Sequence, residues 1–329
     1  MTYRGRLAPS PTGPLHLGNG RTALLAWLAA RSDQGALVMR IEDLDPPRVR
    51  PGMEDRILEE LRWLGLGWDE GPELGGGAGP YRQSERGGRY QAALDRLLQT
   101  GRAYPCFCSR AEVAAAARAP HGPADDGPRY PGTCRDLSQA EVARRSAARR
   151  PAFRLRVEPG QVGFEDAVHG PCRFEPAAAT GDFVVMRADG VAAYQLAVVV
   201  DDAAMEITEV VRGDDLLPST ARQLLLYSAL GLPAPRFAHV PLVVGEDGER
   251  LAKRHGASSL GELREAGVAP EAVLGLLAAS CGLVPIGTRC AAAELVAGFS
   301  WAPLPRRPVQ LTGGGLVAGL AGRRVDSSS

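Results

Sequence analysis

His16-Leu17-Gly18-Asn19 sets an imidazole and a carboxamide three residues apart around a glycine. At the start of a helix this arrangement offers backbone N–H groups, a ring N–H and an amide to an anion. The glycine lets a flat or charged group approach the main chain. The same four residues can equally do no more than shape a turn. A second feature is compositional: the chain has 37 arginines and a single lysine, Lys253. Where arginine supplies every generic positive charge, a lone lysine marks a place that needs a compact ammonium. A third is the pair Cys106-Phe107-Cys108, with Cys134 further on. Thiols kept reduced suit a structural zinc ion better than a disulfide. A fourth ligand is available nearby from His121, Asp125, Asp126 or Tyr130.

The elements that must position these groups read as α/β. A strand over 3–8 runs into a Pro/Gly turn at 9–14, and a helix follows over 20–32 with Leu24, Trp27 and Leu28 on one face. A strand over 36–41 is almost continuously apolar, as a buried parallel strand is, and ends on Glu42, Asp43 and Asp45. Helices are expected over 53–64 and 89–99. Strand, crossover helix and parallel strand begin a doubly wound sheet, which binds ligands at the carboxyl ends of its strands. That is where His16 and Glu42 fall.

Residues 104–190 break the pattern and read as an inserted subdomain. It holds the cysteines, a loop over 114–128, helix starts capped by Ser109 with Glu112 and by Ser138 with Glu141, strands over 152–157 and 182–187, and a turn at 189–190. The sheet is expected to resume with an apolar strand over 191–200 and another over 207–212. A helix over 219–230 closes on Gly231, and a strand covers 237–244. A polar loop over 245–257 carries Lys253, and helices over 260–266 and 270–281 follow. The expected division is therefore 1–103 and 191–257 as two halves of a catalytic domain, 104–190 as the insertion, 258–305 as a helical piece, and 306–329 as a flexible tail.

The longer string Arg6-Leu7-Ala8-Pro9-Ser10-Pro11-Thr12-Gly13-Pro14-Leu15-His16-Leu17-Gly18-Asn19 resembles the first motif of class I aminoacyl-tRNA synthetases, in the branch specific for glutamate and glutamine. Asn19 stands where many relatives have a second histidine. Arg250-Leu251-Ala252-Lys253-Arg254 resembles the second motif, with Arg250 in place of its first lysine and Ala252 in place of a serine. The resemblance implies a Rossmann-like catalytic domain in which His16, Asn19 and Lys253 are catalytic and, with Gly18, bind ATP. It implies a glutamate site made by Arg6, Leu7, Ala8, Pro9, Ser10, Glu42, Tyr194 and Arg212, the last meeting the side-chain carboxylate as planar guanidinium does well. The spacing Cys-x-Cys, then Tyr-x-x-x-Cys, is similar to a zinc site of one subfamily, which implies Cys106, Cys108, Tyr130 and Cys134 around one structural Zn²⁺. Mg²⁺ is expected with the ATP.

The resemblance runs from Arg4 to about Pro308, and the chain stops soon after it. It therefore resembles a truncated branch of the glutamyl-tRNA synthetases that lacks an anticodon domain. The implied activity is formation of glutamyl-adenylate without tRNA, then transfer of glutamate to queuosine at the wobble position of tRNA(Asp). The alternatives are a short enzyme charging a tRNA 3′ end and a non-catalytic regulatory paralogue.

Bulk properties exclude rather than select. Basic and acidic residues balance at 38 each, so no global field advertises nucleic acid. No apolar run reaches the roughly 18 residues of a membrane span, and the N-terminus is not a secretory signal. A cytoplasmic monomer is expected. Cys172, Cys281 and Cys290 read as structural.

Overall fold

A computed structural model describes residues 2–116, 129–245 and 259–310. Lys253, Arg250, Ala252, His121, Asp125 and Asp126 lie outside these residues.

The first strand, β1 (Arg4–Leu7), pairs in parallel with β2 (Ala36–Met39), and α1 (Leu17–Ser32) crosses between them. The buried runs of both strands explain the pairing: each is covered on both faces, as parallel strands are. Helix α2 (Met53–Trp63) packs Ile57 and Leu61 into the same core as Leu24, Leu25 and Leu28 of α1. Helix α3 (Gly87–Gln99) leads to β3 (Ala103–Cys106). These elements lie where the sequence placed them, within a few residues.

Within the segment 104–190, expected to be an insertion, α4 (Arg110–Ala116) follows β3, so the stretch expected to be loop from residue 114 starts instead inside a helix. Both capping boxes predicted for this segment are made. Glu112 N–H donates to Ser109 Oγ at 3.1 Å, and Glu141 N–H to Ser138 Oγ at 3.3 Å at the start of α5 (Gln139–Ala148). Strand β4 (Ala152–Leu155) pairs antiparallel with β3. The hairpin β5 (Val162–Asp166) and β6 (Gly170–Phe174) follows, then a one-turn helix α6 (Pro176–Ala179) and β7 (Val184–Met186), which pairs with β4.

The expected strand at 191–200 is a helix, α7 (Tyr194–Ala204). The run Val198-Val199-Val200 looks like a buried strand because the helix is buried over every residue from 195 to 202 and so shows no 3.6-residue stripe. Leu196 and Val199 pack between Tyr90 and Leu94 of α3 and Leu226 of the following helix. Tertiary packing overrides the β preference of valine here.

Strand β8 (Glu209–Gly213) runs beside β1, where Thr208 N–H donates to the Arg4 carbonyl at 2.9 Å. Helix α8 (Leu217–Leu230) ends on Gly231 at φ 62°, as expected. Strand β9 (Arg236–Val240) pairs in parallel with both β8 and β5, giving the order β6-β5-β9-β8. The β5–β6 hairpin, inside the segment expected to be an insertion, thus extends the sheet formed by β8 and β9. Strand β10 (Val243–Val244) pairs with β11 (Val309–Gln310), so the chain is still ordered at 309–310, inside the stretch expected to fray. Helices α9 (Leu260–Glu265) and α10 (Pro270–Ser280) pack on α1. Among the described residues no helix is long and apolar enough to cross a membrane.

Candidate active site and metal centre

Helix α1 starts on His16, whose imidazole caps it. Nδ1 accepts from Asn19 N–H at 3.3 Å, and the Asn19 carboxamide oxygen accepts from His16 N–H at 3.1 Å. This is a capping box made from an unusual pair. It has a chemical consequence: with Nδ1 an acceptor, the neutral ring carries its proton on Nε2. Asn19 is left with its NH₂ group as the donor. A side chain at Gly18 would begin 3.0 Å from the His16 ring, so only glycine leaves the ring its place over the first turn. Glu60, 1% exposed, holds the motif to α2 by accepting from Leu15 N–H at 3.2 Å.

The two described flanks of residues 246–258 meet this helix start. Ser259 bridges to His16, Leu260 N–H donates to the Leu15 carbonyl at 2.9 Å, and Val243 lies against Gly18.

A cavity of about 1730 Å³ opens beside α1 at the carboxyl ends of β1, β2 and β8. His16, Gly18 and Asn19 line one part of it, and Arg6 with residues 7–10 runs along its floor. Glu42, just past β2, and Tyr194 of α7 and Arg212 of β8 also line it. Every predicted ATP and glutamate residue within the described segments therefore borders one space.

A buried charge network supports the floor. Arg40, with no exposure, pairs with Asp202 at 2.6 Å and Glu42 at 3.1 Å. Asp201 takes Arg86 at 2.5 Å, Gln83 at 2.7 Å and the Tyr90 hydroxyl at 2.8 Å. The two adjacent aspartates of α7 thus tie it to the end of β2 and to α3. Buried charges survive only when satisfied in this way. Burial pushes the Glu42 carboxyl up from its ordinary range, against Arg40 and Arg6, which pull it down. An arriving cation would favour its charged form.

Arg212 is 4% exposed. Its Nε donates to His239 Nε2 at 3.0 Å and its Nη2 to Thr220 Oγ1 at 2.7 Å, whereas Nη1 has no partner. Burial pulls its pKa down. Gln195, whose Oε1 is also unpartnered, borders the same cavity. Sequence reasoning missed Gln195, His239 and Asp166; nothing local marks them. His239 Nδ1 lies 2.6 Å from Asp166 Oδ2.

Burial lowers the His239 pKa to about 4, ahead of the opposing pull of Asp166. Its ring C–H resonances should therefore stay fixed between pH 8 and 5 in an NMR titration. The unfolded chain binds this proton near pH 6.5 and the folded chain only near 4, so stability is full above that window. It falls as pH drops through the window, by on the order of 3 kcal/mol. A His239 signal that titrates near 6.5 would contradict this.

In the insertion, Cys106, Cys108 and Cys134 bring their sulfurs within 4.8 Å of one another. Cys108 and Cys134 are 3.6 Å apart, and Tyr130 Oη lies 3.4 Å from Cys106 and 3.8 Å from Cys108. Tetrahedral zinc with bonds of about 2.3 Å to sulfur and about 2.0 Å to oxygen has ligand–ligand edges of roughly 3.5–3.8 Å. Three edges of the cluster, 3.4, 3.6 and 3.8 Å, lie close to that range. Arg154 donates to Cys106 at 3.3 Å and stacks over the Tyr130 ring at 3.8 Å, placing a positive charge beside the cluster of sulfurs. Cys108 and Arg154 also border the cavity.

The sequence profile described as tRNA synthetases class I (E and Q), catalytic domain, matches residues 2–291. The chain belongs to this family. Its α/β fold is that of the class I synthetase catalytic domain. Relatives include the glutamyl-Q tRNA(Asp) synthetase of Symbiobacterium thermophilum, 54% identical over 93% of this chain and 95% of that protein. The protein of the same name from Nocardia farcinica is 52% identical over 95% and 94%. Glutamate–tRNA ligase 1 of Halorhodospira halophila is 52% identical over 84% of this chain, but only 58% of that longer protein is covered. The crystal structure of a glutamate tRNA ligase from Elizabethkingia meningosepticum, in complex with its amino acid, superposes with a TM-score of 0.82 at 31% identity, over 96% of this chain and 68% of that one. Within this family's fold the cavity lies where a doubly wound sheet puts its ligands.

Proposed function

We propose that the chain activates L-glutamate with ATP and passes the glutamyl group to queuosine of tRNA(Asp). The observation that carries the glutamate assignment is the Arg212 guanidinium, buried at the cavity wall with Nη1 unpartnered and no carboxylate bonded to it. The substrate's side-chain carboxylate supplies the missing counter-charge. Glu42 and the Gln195 oxygen accept from the substrate ammonium, and Arg6 with the backbone of residues 7–10 fixes the rest. The α-carboxylate oxygen then attacks the α-phosphorus of ATP, forming a mixed anhydride and releasing pyrophosphate. His16 Nε2–H, the Asn19 amide and Lys253 stabilise charge on the phosphates; no covalent enzyme intermediate is needed. Mg²⁺ accompanies ATP. A hydroxyl of the acceptor attacks the anhydride carbonyl, forming an ester and releasing AMP. Cys106, Cys108, Tyr130 and Cys134 would hold a structural Zn²⁺ that would pin the insertion rather than serve the chemistry. The relatives named for glutamyl-Q support the choice of acceptor, and the reaction belongs to the cytoplasm.

Two measurements test this. Glutamate-dependent ATP–pyrophosphate exchange should proceed without tRNA, and Lys253→Ala should slow it by about 10²–10³-fold, the usual cost of removing one preorganised charge. Wild-type exchange in that variant would refute the role of Lys253. Labelled glutamate should transfer to queuosine-containing tRNA(Asp) trimmed of its 3′-terminal adenosine and not to the same tRNA lacking queuosine. Transfer that requires the intact 3′ end would make the protein a short tRNA-charging enzyme.

A further inference from the structure

Arg212 and His239 sit opposite one another in the register of β8 and β9, and Asp166 ends β5 on the far side of β9. All three are at least nine-tenths buried, as is Thr220 of α8. An arginine has donors only, so His239 Nε2 accepts the Arg212 Nε–H only if that nitrogen carries no proton. Asp166 secures this. Its Oδ2 takes the proton-bearing Nδ1 at 2.6 Å, and the carboxylate is itself anchored by the backbone N–H groups of Val168, His169 and His239, each at 3.0 Å. Thr220 Oγ1 accepts from Nη2 and stands 2.9 Å from His239 Nε2 and 3.3 Å from the Leu216 carbonyl, either of which takes its own proton. Two of the three guanidinium nitrogens are therefore held from behind by neutral acceptors, and the third has no protein partner.

The neutrality of those acceptors is the informative part. A carboxylate placed directly on Arg212 would orient it equally well but would cancel its charge and repel an anionic ligand. Here Asp166, the carboxylate behind His239, stands one imidazole ring away, and no carboxylate among the described residues bonds Arg212 directly. We infer that Asp166, His239 and Thr220 form a positioning relay that fixes Arg212 while leaving its charge uncompensated, and so sets the preference for a carboxylate over a carboxamide side chain. The inference rests on the proposed role of Arg212 in binding glutamate. It makes the hairpin of the insertion, through Asp166, a determinant of amino-acid selectivity.

The test is steady-state ATP–pyrophosphate exchange with glutamate and with glutamine. Asp166→Asn, Thr220→Val and His239→Phe should each raise the KM for glutamate by about 10–100-fold, the value of a hydrogen bond to a charged group, with the KM for ATP within about twofold. The ratio of kcat/KM for glutamate to that for glutamine should fall in each. His239→Gln, which keeps a side-chain acceptor, should recover part of both losses. Where His239→Phe does not fold, Asp166→Asn and Thr220→Val decide. Arg212→Gln separates the two layers. If it leaves the glutamate KM unchanged, the glutamate reading itself fails. If it raises that KM while the folded relay variants keep wild-type KM and selectivity, the relay is refuted and the glutamate reading stands.

Discussion

Arg212→Gln should raise the KM for glutamate in ATP–pyrophosphate exchange by about 10²–10³-fold and collapse the preference over glutamine. The magnitude follows from what the substitution strands. A substrate carboxylate in this cavity is desolvated, and Arg212 offers it a guanidinium fork with no competing carboxylate bonded to it. Truncating one partner of a buried charge pair typically costs about 2–5 kcal/mol, because the other charge is left unpaired. Glutamine loses less, since its amide never needed the charge. The same variant should be at least as stable as the wild type when substrate is absent. A buried cation whose pKa is already pulled down by desolvation is a stability liability. A thermal melt without ligand and an exchange assay with both amino acids check the two halves of the prediction. A wild-type KM for glutamate would remove Arg212 from the site.

Cys106→Ser combined with Cys108→Ser should abolish binding of one zinc per chain and loosen the insertion. The core around the cysteines is small: Tyr104, Phe107, Val113 and Tyr130 are its buried apolar members beside the thiols. So few side chains hold this part of the insertion weakly without a staple, although β4 and β7 also pack against α3 and α7, and metal bound only in the folded state adds its binding free energy to folding. Metal analysis should read close to one zinc in the wild type and none in the variant. Limited proteolysis should then cut within 104–190, and a chelator should reproduce the effect on the wild type. Exchange without tRNA should fall by less than about tenfold, because the apolar cores under α1, β1, β2 and α7 contain none of the three cysteines. Full zinc retention in the double variant would defeat the site.

The motif at His16 was legible because its parts are three residues apart. Its capping geometry needs only local backbone, and α1 starts on it. The cysteine–tyrosine–cysteine spacing was legible for the same reason, and Tyr130 Oη lies 3.4 Å from Cys106 and 3.8 Å from Cys108. Burial on every side hid α7, since a helix without an exposed face has no stripe to read.

The sequence by itself determined the family, the strand–turn–helix that carries His16, the cysteine set, and the arginine, glutamate and tyrosine that face the cavity. Only the tertiary structure decided what stands behind them. Arg40 meets Asp202 from 162 residues away, and Asp166 meets His239 from 73. Such pairs have no spacing to recognise, because sheet register, not chain distance, brings them together. The burial that removes water from Arg212 is likewise a property of the packed sheet, and it leaves one arginine among 37 at the cavity wall with an unpartnered nitrogen.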